Sequence, residues 1–254
     1  MPVAQREFYL PFIKKEKLAK DTYSFYFDFG KQSFDFLPGQ YVRMTLDIQN
    51  PDDRGSSRPF TISSSPLDKD YIVITTKVIK SPVPDGTGLS SFKKRLMMLK
   101  SQELVKFFGP VGGFILNEET KDPRVFLAGG IGITPFHSMI TYAHKKKLSI
   151  PITLIVSFST VEDLIFYEEL LDIAKKDNHI KVVYTITRPE ESSIQWKGET
   201  ERISETLIKK YIEDIDKPLY YIVGPPAMVS AMEEIVRNMG VSNEKIFIEN
   251  FTGY

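Results

Sequence analysis

The pattern of apolar and polar residues divides the chain into two parts with different periodicities. Over the first 115 residues, apolar positions alternate with polar ones or gather as β-branched and aromatic residues, which is typical of strands. The predicted strands are residues 7–13, 22–28, 40–46, 59–63, 72–79 and 103–108, and one predicted helix covers residues 90–100. Gly, Pro, Asn and Asp separate these strands as turn signals. Six short strands at this spacing predict a closed antiparallel β-barrel.

The second part of the chain alternates between short apolar strands and longer helical segments. The predicted strands are residues 125–128, 152–158, 180–187, 219–223 and 246–249, and the predicted helices are residues 135–147, 163–175, 204–211 and 227–239. This alternation predicts a parallel sheet with helices on both faces. The polar stretch 117–123 is interpreted as the boundary, which gives domains of residues 1–116 and 117–254.

Composition narrows the classes of protein that fit this pattern. The 33 basic and 33 acidic residues cancel, so nothing favours binding to nucleic acid or to a charged membrane surface. The sequence has no cysteine, which excludes disulfides, zinc–thiolate sites and cysteine-ligated iron–sulfur clusters within it. Its three histidines are too scattered to suggest a metal site, and His137 and His144 are predicted at the surface or at helix ends.

Two features of the sequence bear on its location in the cell. The first nine residues are too polar for a signal peptide. No apolar run approaches the roughly 18 residues that a transmembrane helix needs. We therefore expect a cytoplasmic protein that does not insert into a membrane.

The first candidate site is the predicted strand that begins at Arg58. Residues two apart in a strand share a face, so Arg58 and Phe60 point to one side and Thr61 to the other. A guanidinium group matches phosphate oxygens, and an aromatic ring can pack against a ring system. This spacing suits a ligand with a charged tail and a flat ring, but an ordinary strand that leads into a serine-rich turn has the same pattern.

The second candidate site is the glycine-rich turn Gly129–Pro135. A buried strand precedes it, and a helix opens with Pro135 close to its first position. Glycines permit a tight turn and a close approach of the backbone, and the helix N-terminus offers N–H groups to a pyrophosphate. The pattern Gly130-x-Gly132-x-x-Pro135 is similar to the dinucleotide fingerprint but ends in proline. In this strand–turn–helix context it predicts dinucleotide binding.

Three further segments carry the same kinds of signal. Ser90 and Ser91 follow Gly88 at the start of the barrel helix, where a serine can cap the helix or bind a phosphate. Val223–Met228 is a second strand that ends at glycine and proline before a helix; a helix-start turn explains it equally well. The last six residues, 249–254, place a glutamate among aromatic residues.

These segments, taken together in chain order, resemble the ferredoxin–NADP reductase-like flavoproteins over essentially the whole chain. The resemblance implies a six-stranded Greek-key barrel that binds FAD, followed by a Rossmann-like domain that binds NAD(P). Trp196-x-Gly198 and Arg202 are similar to a later motif of the family's NAD(P) domain.

The resemblance also implies roles for individual residues. Arg58 would bind the FAD pyrophosphate, Phe60 would stack on the isoalloxazine, and Thr61 would bond flavin N5. Glu249 would help to place the nicotinamide carboxamide, and Thr61 and Glu249 are the predicted catalytic residues. The remaining predicted FAD contacts are Pro59, Thr75, Lys77, Gly88, Leu89, Ser90 and Ser91. The other residues predicted to contact the nucleotide or to cover the flavin are Gly130, Gly132, Thr134, Pro135, Gly224, Pro225, Met228, Phe251 and Tyr254.

The sequence departs from the family pattern at two positions and lacks one common domain. Val223 stands where many members have a cysteine, which should alter rate or nicotinamide alignment without abolishing function. Ser159 stands where relatives that prefer NADP often have an arginine, so the choice between NADH and NADPH stays open. No cysteine is available for the iron–sulfur domain that many bacterial relatives carry.

The resemblance implies an FAD-dependent NAD(P)H oxidoreductase that passes electrons to ferredoxin, flavodoxin, an oxygenase partner or a small acceptor. Lys80, Lys93, Lys94 and Arg95 could form a basic face for an acidic carrier, although lysine-rich helices are usually just solvated. The alternatives are a flavin-bearing docking subunit without its own turnover and a dinucleotide-binding protein without flavin. The oligomeric state and the direction of electron flow are open.

Overall fold

The computed structural model describes residues 4–30, 34–79 and 88–251 of the 254-residue chain. Residues 80–87, which include Lys80 and most of the predicted loop before the barrel helix, lie outside these ranges, as does Tyr254. The chain divides into two compact units, the first of which ends at Ile115 while the second begins at Leu116.

The first unit, over its described residues, contains six strands and one helix. These elements are β1 (Arg6–Ala19), β2 (Thr22–Asp28), β3 (Tyr41–Thr45), β4 (Ser57–Thr61), β5 (Tyr71–Lys77), α1 (Ser91–Met97) and β6 (Leu104–Val111). Neighbouring strands are antiparallel in the order β4-β3-β6-β1-β2-β5. A bridge between Ile62 and Ile74 joins the β4 and β5 ends, so the sheet closes. This confirms the predicted antiparallel barrel.

Aromatic side chains fill the interior of this barrel. The Phe27 and Phe107 rings meet edge to face with centroids 5.0 Å apart, and Phe12 lies 5.6 Å from Phe27. Phe25 is fully buried beside them. Because side chains alternate along a strand, the inward positions of β1, β2 and β6 bring these rings into one cluster.

The prediction for β1 was wrong at its C-terminal end. The strand does not stop near residue 13 but continues to Ala19, pairing first with β6 and then with β2. Register irregularities between Phe12 and Lys14 mark the change of partner, and such bulges bend a strand. The polar run Lys14–Lys17 hid this extension because it breaks the apolar alternation.

The second unit, over its described residues, contains five strands and four helices. The strands are β7 (Arg124–Gly129), β8 (Ile152–Phe158), β9 (Ile180–Ile186), β10 (Leu219–Gly224) and β11 (Ile246–Asn250). The helices are α2 (Ile133–Lys146), α3 (Tyr167–Lys176), α4 (Glu205–Tyr211) and α5 (Pro226–Asn238). All pairs are parallel in the order β11-β10-β7-β8-β9. The predicted Rossmann-like sheet is confirmed, with β7, buried along its whole length, at its centre.

The predicted start of α3 at residue 163 was wrong. Residues Val161–Asp163 form a separate 3-10 turn, because Thr160 and Asp163 bond reciprocally as a capping box. Phe166 then adopts a left-handed backbone with φ of 57°, and α3 begins at the next residue. A helical hydrophobic pattern does not reveal this break.

The prediction for His137 was also wrong, because this side chain is buried instead of lying at the surface. Helix α2 is buried along most of its length, and the His137 ring stacks on Phe166 with centroids 3.8 Å apart. Its Nε2 atom lies 2.9 Å from a carboxylate oxygen of Glu169. His144, at the end of α2, lies 3.2 Å from Asp177 as predicted for a helix-end residue.

The boundary segment 117–123 is fixed to the second unit by a fully buried arginine. Arg124 donates to the backbone carbonyl of Asn117 at 2.8 Å and to the hydroxyl of Thr120 at 2.9 Å. Among the ranges that the structure describes, no helix combines the length and apolar character needed to cross a membrane.

Candidate functional site

The strand that begins the predicted FAD site has the two-faced arrangement expected from the sequence. Arg58 and Phe60 both pack against Phe92 of α1, at 5.2 Å from guanidinium carbon to ring centroid and at 5.7 Å between centroids. Thr61 is buried but its hydroxyl forms no hydrogen bond with any described residue. Pro59, between them, is exposed. This strand therefore leaves a hydroxyl and a half-buried aromatic ring for a ligand.

The guanidinium of Arg58 is held in place by acceptors in the loop before β4. Its Nη1 donates to the carbonyls of Gly55 and Ser57, both at 2.9 Å, and its Nη2 donates to Asp52 Oδ1 at 2.9 Å. Burial and then repulsion from Arg54 lower the pKa of Arg58. Its Nε–H makes no contact with a described residue, so a donor of this oriented cation stays available.

Asp52 connects this arginine to the start of α1. Its Oδ2 accepts the backbone N–H of Ser91 at 3.0 Å and the Ser91 hydroxyl at 2.9 Å. Although burial opposes it, the hydrogen bonds of Ser91 and Arg54 and the charge of Arg58 lower the pKa of Asp52. The sequence suggested only a turn at Asp52, because a surface carboxylate and one that joins an arginine to the start of a helix have the same local pattern.

Of the two serines at the start of α1, Ser90 takes the capping role that the sequence left open. Ser90 caps α1, since its hydroxyl accepts the backbone N–H of Lys93 at 3.2 Å. Ser91 contacts Asp52 instead. Gly88 has φ of 77° and, like Leu89, is half-buried beside this turn.

The predicted FAD contacts on β5 face different surroundings. Thr75 is buried, and its hydroxyl is shared with Ser24 at 2.7 Å and with Ser63 at 2.9 Å. Lys77 is half-buried at the end of the strand. The hydroxyl of Thr75 thus stabilises the barrel, and only its backbone is left to approach a ligand.

The glycine-rich turn of the second unit is a 3-10 turn, Gly130–Gly132, between β7 and α2. Gly132 packs so tightly that a Cβ there would lie 2.7 Å from the carbonyl oxygen of Val223. Gly130, in contrast, has φ of 52° and no atom within 4 Å of a Cβ position. Gly132 therefore packs directly against Val223 at the end of β10, whereas the space beside Gly130 is open.

Two other predicted residues of this turn are structural. Thr134 is buried and donates its hydroxyl to the carbonyl of Ile131 at 3.0 Å, which fixes the turn. Pro135 is buried in the first turn of α2.

The turn between β10 and α5 lies against the glycine-rich turn, because β10 pairs with β7. Met228 contacts Gly129, where a Cβ would meet its sulfur at 2.1 Å. Gly224 is buried and accepts the backbone N–H of Phe251 at 2.9 Å, while Pro225 is exposed. The structure thus brings Gly129–Gly132, Gly224, Met228 and Phe251 together at one edge of the sheet.

Glu249 lies on β11 directly opposite Val223. Its Oε2 atom is buried and has no hydrogen-bond partner among the described residues. Burial raises the pKa of Glu249 to about 7. Native proteins pair nearly all buried polar atoms, so an unpaired carboxyl oxygen at a strand end is typical of a ligand site.

A surface pocket of about 650 Å³ lies within the second unit, beyond the ends of β8 and β9. The indole of Trp196 and the ring of Tyr167 meet in this pocket with centroids 5.8 Å apart. Nearby, the backbone N–H of Arg188 donates to the carbonyl of Ser159 at 2.9 Å. Ser159 stands where relatives that prefer NADP often have an arginine, and the fold brings Arg188, which follows β9 in Thr187-Arg188-Pro189, beside it.

Comparison with known protein families agrees with the two-part geometry. The family model described as the oxidoreductase FAD-binding domain matches residues 9–115, and that described as the oxidoreductase NAD-binding domain matches residues 126–234. These matches define the class as an oxidoreductase with one FAD-binding and one NAD-binding domain. The chain belongs to the ferredoxin–NADP reductase-like family.

Individual relatives are similar over most of this chain. The glycine betaine monooxygenase reductase subunit of Chromohalobacter salexigens is 28% identical over 218 residues, which cover 86% of this chain and 56% of that protein. The flavohemoprotein of Bacillus subtilis is 27% identical over 253 residues, which cover 96% of this chain and 59% of that protein. The chain thus spans less than two thirds of the length of these relatives.

A solved structure shows the same fold. A ferredoxin NADP⁺ reductase from Neisseria gonorrhoeae with bound FAD and NADP has a TM-score of 0.76 and 20% identity, over 96% of this chain and 98% of that one.

The side chains present fit the two groups that these domains bind. In the first unit, Arg58 is a buried cation and Thr61 has an unused hydroxyl, a donor set suited to an anionic diphosphate and a flavin ring. In the second unit, Gly130 leaves open space and Glu249 has an unpaired oxygen. Both sites therefore retain what FAD and a nicotinamide nucleotide need.

Proposed function

We propose that the chain is an NAD(P)H-dependent flavin oxidoreductase that transfers hydride from NAD(P)H to FAD and passes electrons to a separate acceptor. Ferredoxin, flavodoxin and an oxygenase component are the candidate acceptors. The observation that supports it best is the buried, unpaired Oε2 of Glu249 at the end of β11. Few buried polar atoms in proteins lack a partner, and a nicotinamide carboxamide could donate to this one.

The residues of the first unit hold and orient the flavin. When bound, FAD supplies N5 as the hydride acceptor. Arg58 binds its diphosphate, with Ser91 and the backbone of Gly88–Ser90 alongside. Phe60 would pack on the ring system, and the Thr61 hydroxyl would hydrogen-bond N5.

The residues of the second unit bind the nicotinamide nucleotide. The backbone of Gly130–Gly132, supported by the buried Thr134 and Pro135, approaches the pyrophosphate, and Gly224, Pro225 and Met228 form the opposite wall. Glu249 orients the carboxamide. Phe251 and Tyr254 are the candidates to cover the flavin before the nucleotide enters.

The Trp196 pocket is a suitable place for the adenosine end of the nucleotide. In open α/β sheets, ligands bind beyond the carboxyl ends of the strands, where this pocket lies. Arg188 is exposed, and its guanidinium is paired with Glu191 at 3.4 Å. A ribose 2′-phosphate can replace that weak surface pair, so Arg188 favours NADPH.

The decisive experiment uses the full chain. After purification its visible spectrum is recorded, and NADH or NADPH is added without oxygen. We expect a yellow protein that is bleached, faster by NADPH than by NADH. A yellow protein that neither nucleotide bleaches would support the alternative, a flavin-bearing docking subunit, and a colourless protein that binds no added FAD would contradict the proposal altogether.

A second experiment identifies the acceptor class. Reduction of an acidic ferredoxin by the NAD(P)H-reduced chain is measured at low and high salt. Electron transfer that slows as salt increases would support a carrier docking on a basic face. The same rate at all salt concentrations would favour a small uncharged acceptor.

A further inference from the structure

His137 is a buried titratable side chain that the proposed hydride transfer does not use. It lies in the second turn of α2, the helix that begins directly after the glycine-rich turn, and only 8% of the residue is exposed. Its Nε2 donates to a carboxylate oxygen of Glu169 on α3 at 2.9 Å. This hydrogen bond lowers the pKa of Glu169, so the acceptor is ionised. His137 therefore links the helix that follows the glycine-rich turn to the next helix of the same unit.

The residue on which the imidazole stacks, Phe166, has a strained backbone. The two rings lie with centroids 3.8 Å apart and planes 20° apart. Phe166 has φ of 57°, a left-handed conformation that residues with bulky side chains rarely adopt. Such residues persist only where their surroundings hold them, and they are common at ligand-binding sites. The stack on Phe166 and the bond to Glu169 together hold the strained turn from which α3 begins.

This strained turn forms one wall of the Trp196 pocket. Leu164 and Tyr167, which flank the turn on either side, both line the pocket. The ring of Tyr167 also meets the buried ring of Tyr184 edge to face, with centroids 4.9 Å apart. Because Tyr167 directly follows Phe166, a change in the backbone of Phe166 moves this wall.

The other wall of the pocket is the indole of Trp196, which its own loop holds in place. The indole Nε1–H donates to the carbonyl of Glu199 at 2.7 Å, and the same carbonyl accepts the backbone N–H of Ile186 at the end of β9 at 2.9 Å. A Cβ on Gly198 would lie 2.6 Å from an indole carbon, so the ring covers this glycine. With the indole fixed to the sheet, the shape of the pocket depends on where Tyr167 stands.

We propose that His137 is a positioning residue for the nucleotide: by stacking on Phe166, it fixes Tyr167 relative to Trp196 and so sets the affinity of the pocket for an adenine ring. The inference rests on the proposed function, which places the adenosine end of the nucleotide in this pocket. A purine can pack against either aromatic ring, provided that the rings keep their spacing. His137 does not itself line the pocket and acts through Phe166.

The test follows the pocket by the tryptophan fluorescence of the full chain. The sequence has a single tryptophan, so the emission reports Trp196 directly. The probe is adenosine monophosphate, which carries the adenosine end of the nucleotide without the nicotinamide. In His137→Leu, which loses both the ring and the donor, the emission should change and the probe should bind about tenfold more weakly. The Michaelis constant for the whole nucleotide should rise about tenfold, whereas kcat for flavin reduction should stay at its natural value.

Two further variants separate this role from a general effect on packing. His137→Phe keeps an aromatic ring on Phe166 and should retain most of the natural affinity for adenosine monophosphate. His144→Leu is the matched control, since His144 lies about two turns further along α2 and pairs with Asp177 at the other end of α3, at 3.2 Å. It loses the same kind of histidine–carboxylate pair away from the pocket and should behave like the natural protein in every assay.

Three results would overturn the proposal: natural emission and natural affinity for the probe in a folded His137→Leu protein, an equal loss of affinity in His144→Leu, or a loss in His137→Phe as large as in His137→Leu. If His137→Leu does not fold, Phe166→Gly decides the question. Glycine adopts the left-handed backbone without strain but lacks the ring, so natural affinity in this variant would also overturn the proposal. A natural protein that binds no adenosine monophosphate would instead contradict the place proposed for the adenosine end.

Discussion

Replacing Glu249 with glutamine should stabilise the second unit at alkaline pH. The side chain has a buried oxygen without a partner, and its pKa is raised by burial from the ordinary value of 4.5 to about 7. At a pH between these two values, the Glu249 carboxyl is protonated in the folded chain but has lost its proton in the unfolded chain. Stability therefore falls as pH rises through this interval, and the loss is complete above about pH 7.

The size of this loss follows from the two pKa values. A rise from 4.5 to about 7 corresponds to about 3 kcal/mol of free energy of unfolding. Glutamine has the same shape and no charge to bury, so Glu249→Gln should be more stable than the natural protein by up to about 3 kcal/mol at about pH 8. Near pH 4 the natural side chain is protonated in both states, and the difference should disappear.

The assay is urea unfolding, followed by circular dichroism, at these two pH values. The control is Glu234→Gln on the exposed side of α5, which should leave stability unchanged at both. If Glu249→Gln is no more stable than the natural protein at about pH 8, the carboxylate is paired or solvated, and the argument for a ligand at Oε2 fails.

Four other substitutions test the two sites. Gly132→Ala should lower the free energy of unfolding by about 1–3 kcal/mol, because its Cβ meets the Val223 carbonyl at 2.7 Å; natural stability in urea would contradict this packing. Thr61→Val should slow flavin reduction about tenfold with natural FAD content, measured by anaerobic stopped flow; an unchanged rate would remove Thr61 from the catalytic residues. Trp196→Ala should raise the Michaelis constant for the nucleotide about tenfold, and an unchanged constant would place adenosine elsewhere. Arg188→Ala should reduce kcat/KM for NADPH about tenfold or more and spare NADH; equal losses would show that Arg188 does not read the 2′-phosphate.

The fold could be predicted because burial of one or both faces of a strand or helix leaves a regular pattern of apolar residues in the sequence. β8 was predicted with its observed bounds, since six of its seven residues are apolar or β-branched and proline and serine bound the run. β1 was predicted too short, because its second half pairs at the barrel surface with polar residues outward. α3 was predicted to start too early, because a capping box forms by side-chain bonds that periodicity does not detect.

Candidate site residues could be predicted from the sequence where they lie at the end of a strand or the start of a helix. Gly130 and Gly132 were predicted from their position at a strand end, and Gly224 and Met228 were implied by the family resemblance; the structure brings these segments together. Arg188 could not be placed beside Ser159 from the sequence, for a geometric reason. It lies at the end of β9, and only the parallel pairing of β8 with β9 brings it beside Ser159.

Lys93 and Asp52 could not be predicted from sequence because their significance is electrostatic and arises only on folding. Lys93 was considered as part of a basic surface, yet its amine faces inward to Thr76. Asp52 was considered as part of a turn, yet it joins Arg58 to Ser91. A charged side chain that faces solvent and one that faces inward can have the same local sequence. Its role is decided by the residues that other elements of the fold place around it.

Two buried polar atoms of the described residues lack a hydrogen-bond partner, Nε of Arg124 and Oε2 of Glu249. The rest of the Arg124 guanidinium is satisfied, since it donates to the carbonyl of Asn117 and to the hydroxyl of Thr120. Glu249 has no such compensation, and burial raises its pKa to about 7. Its carboxyl group therefore weakens the folded chain most unless a ligand supplies a hydrogen-bond donor.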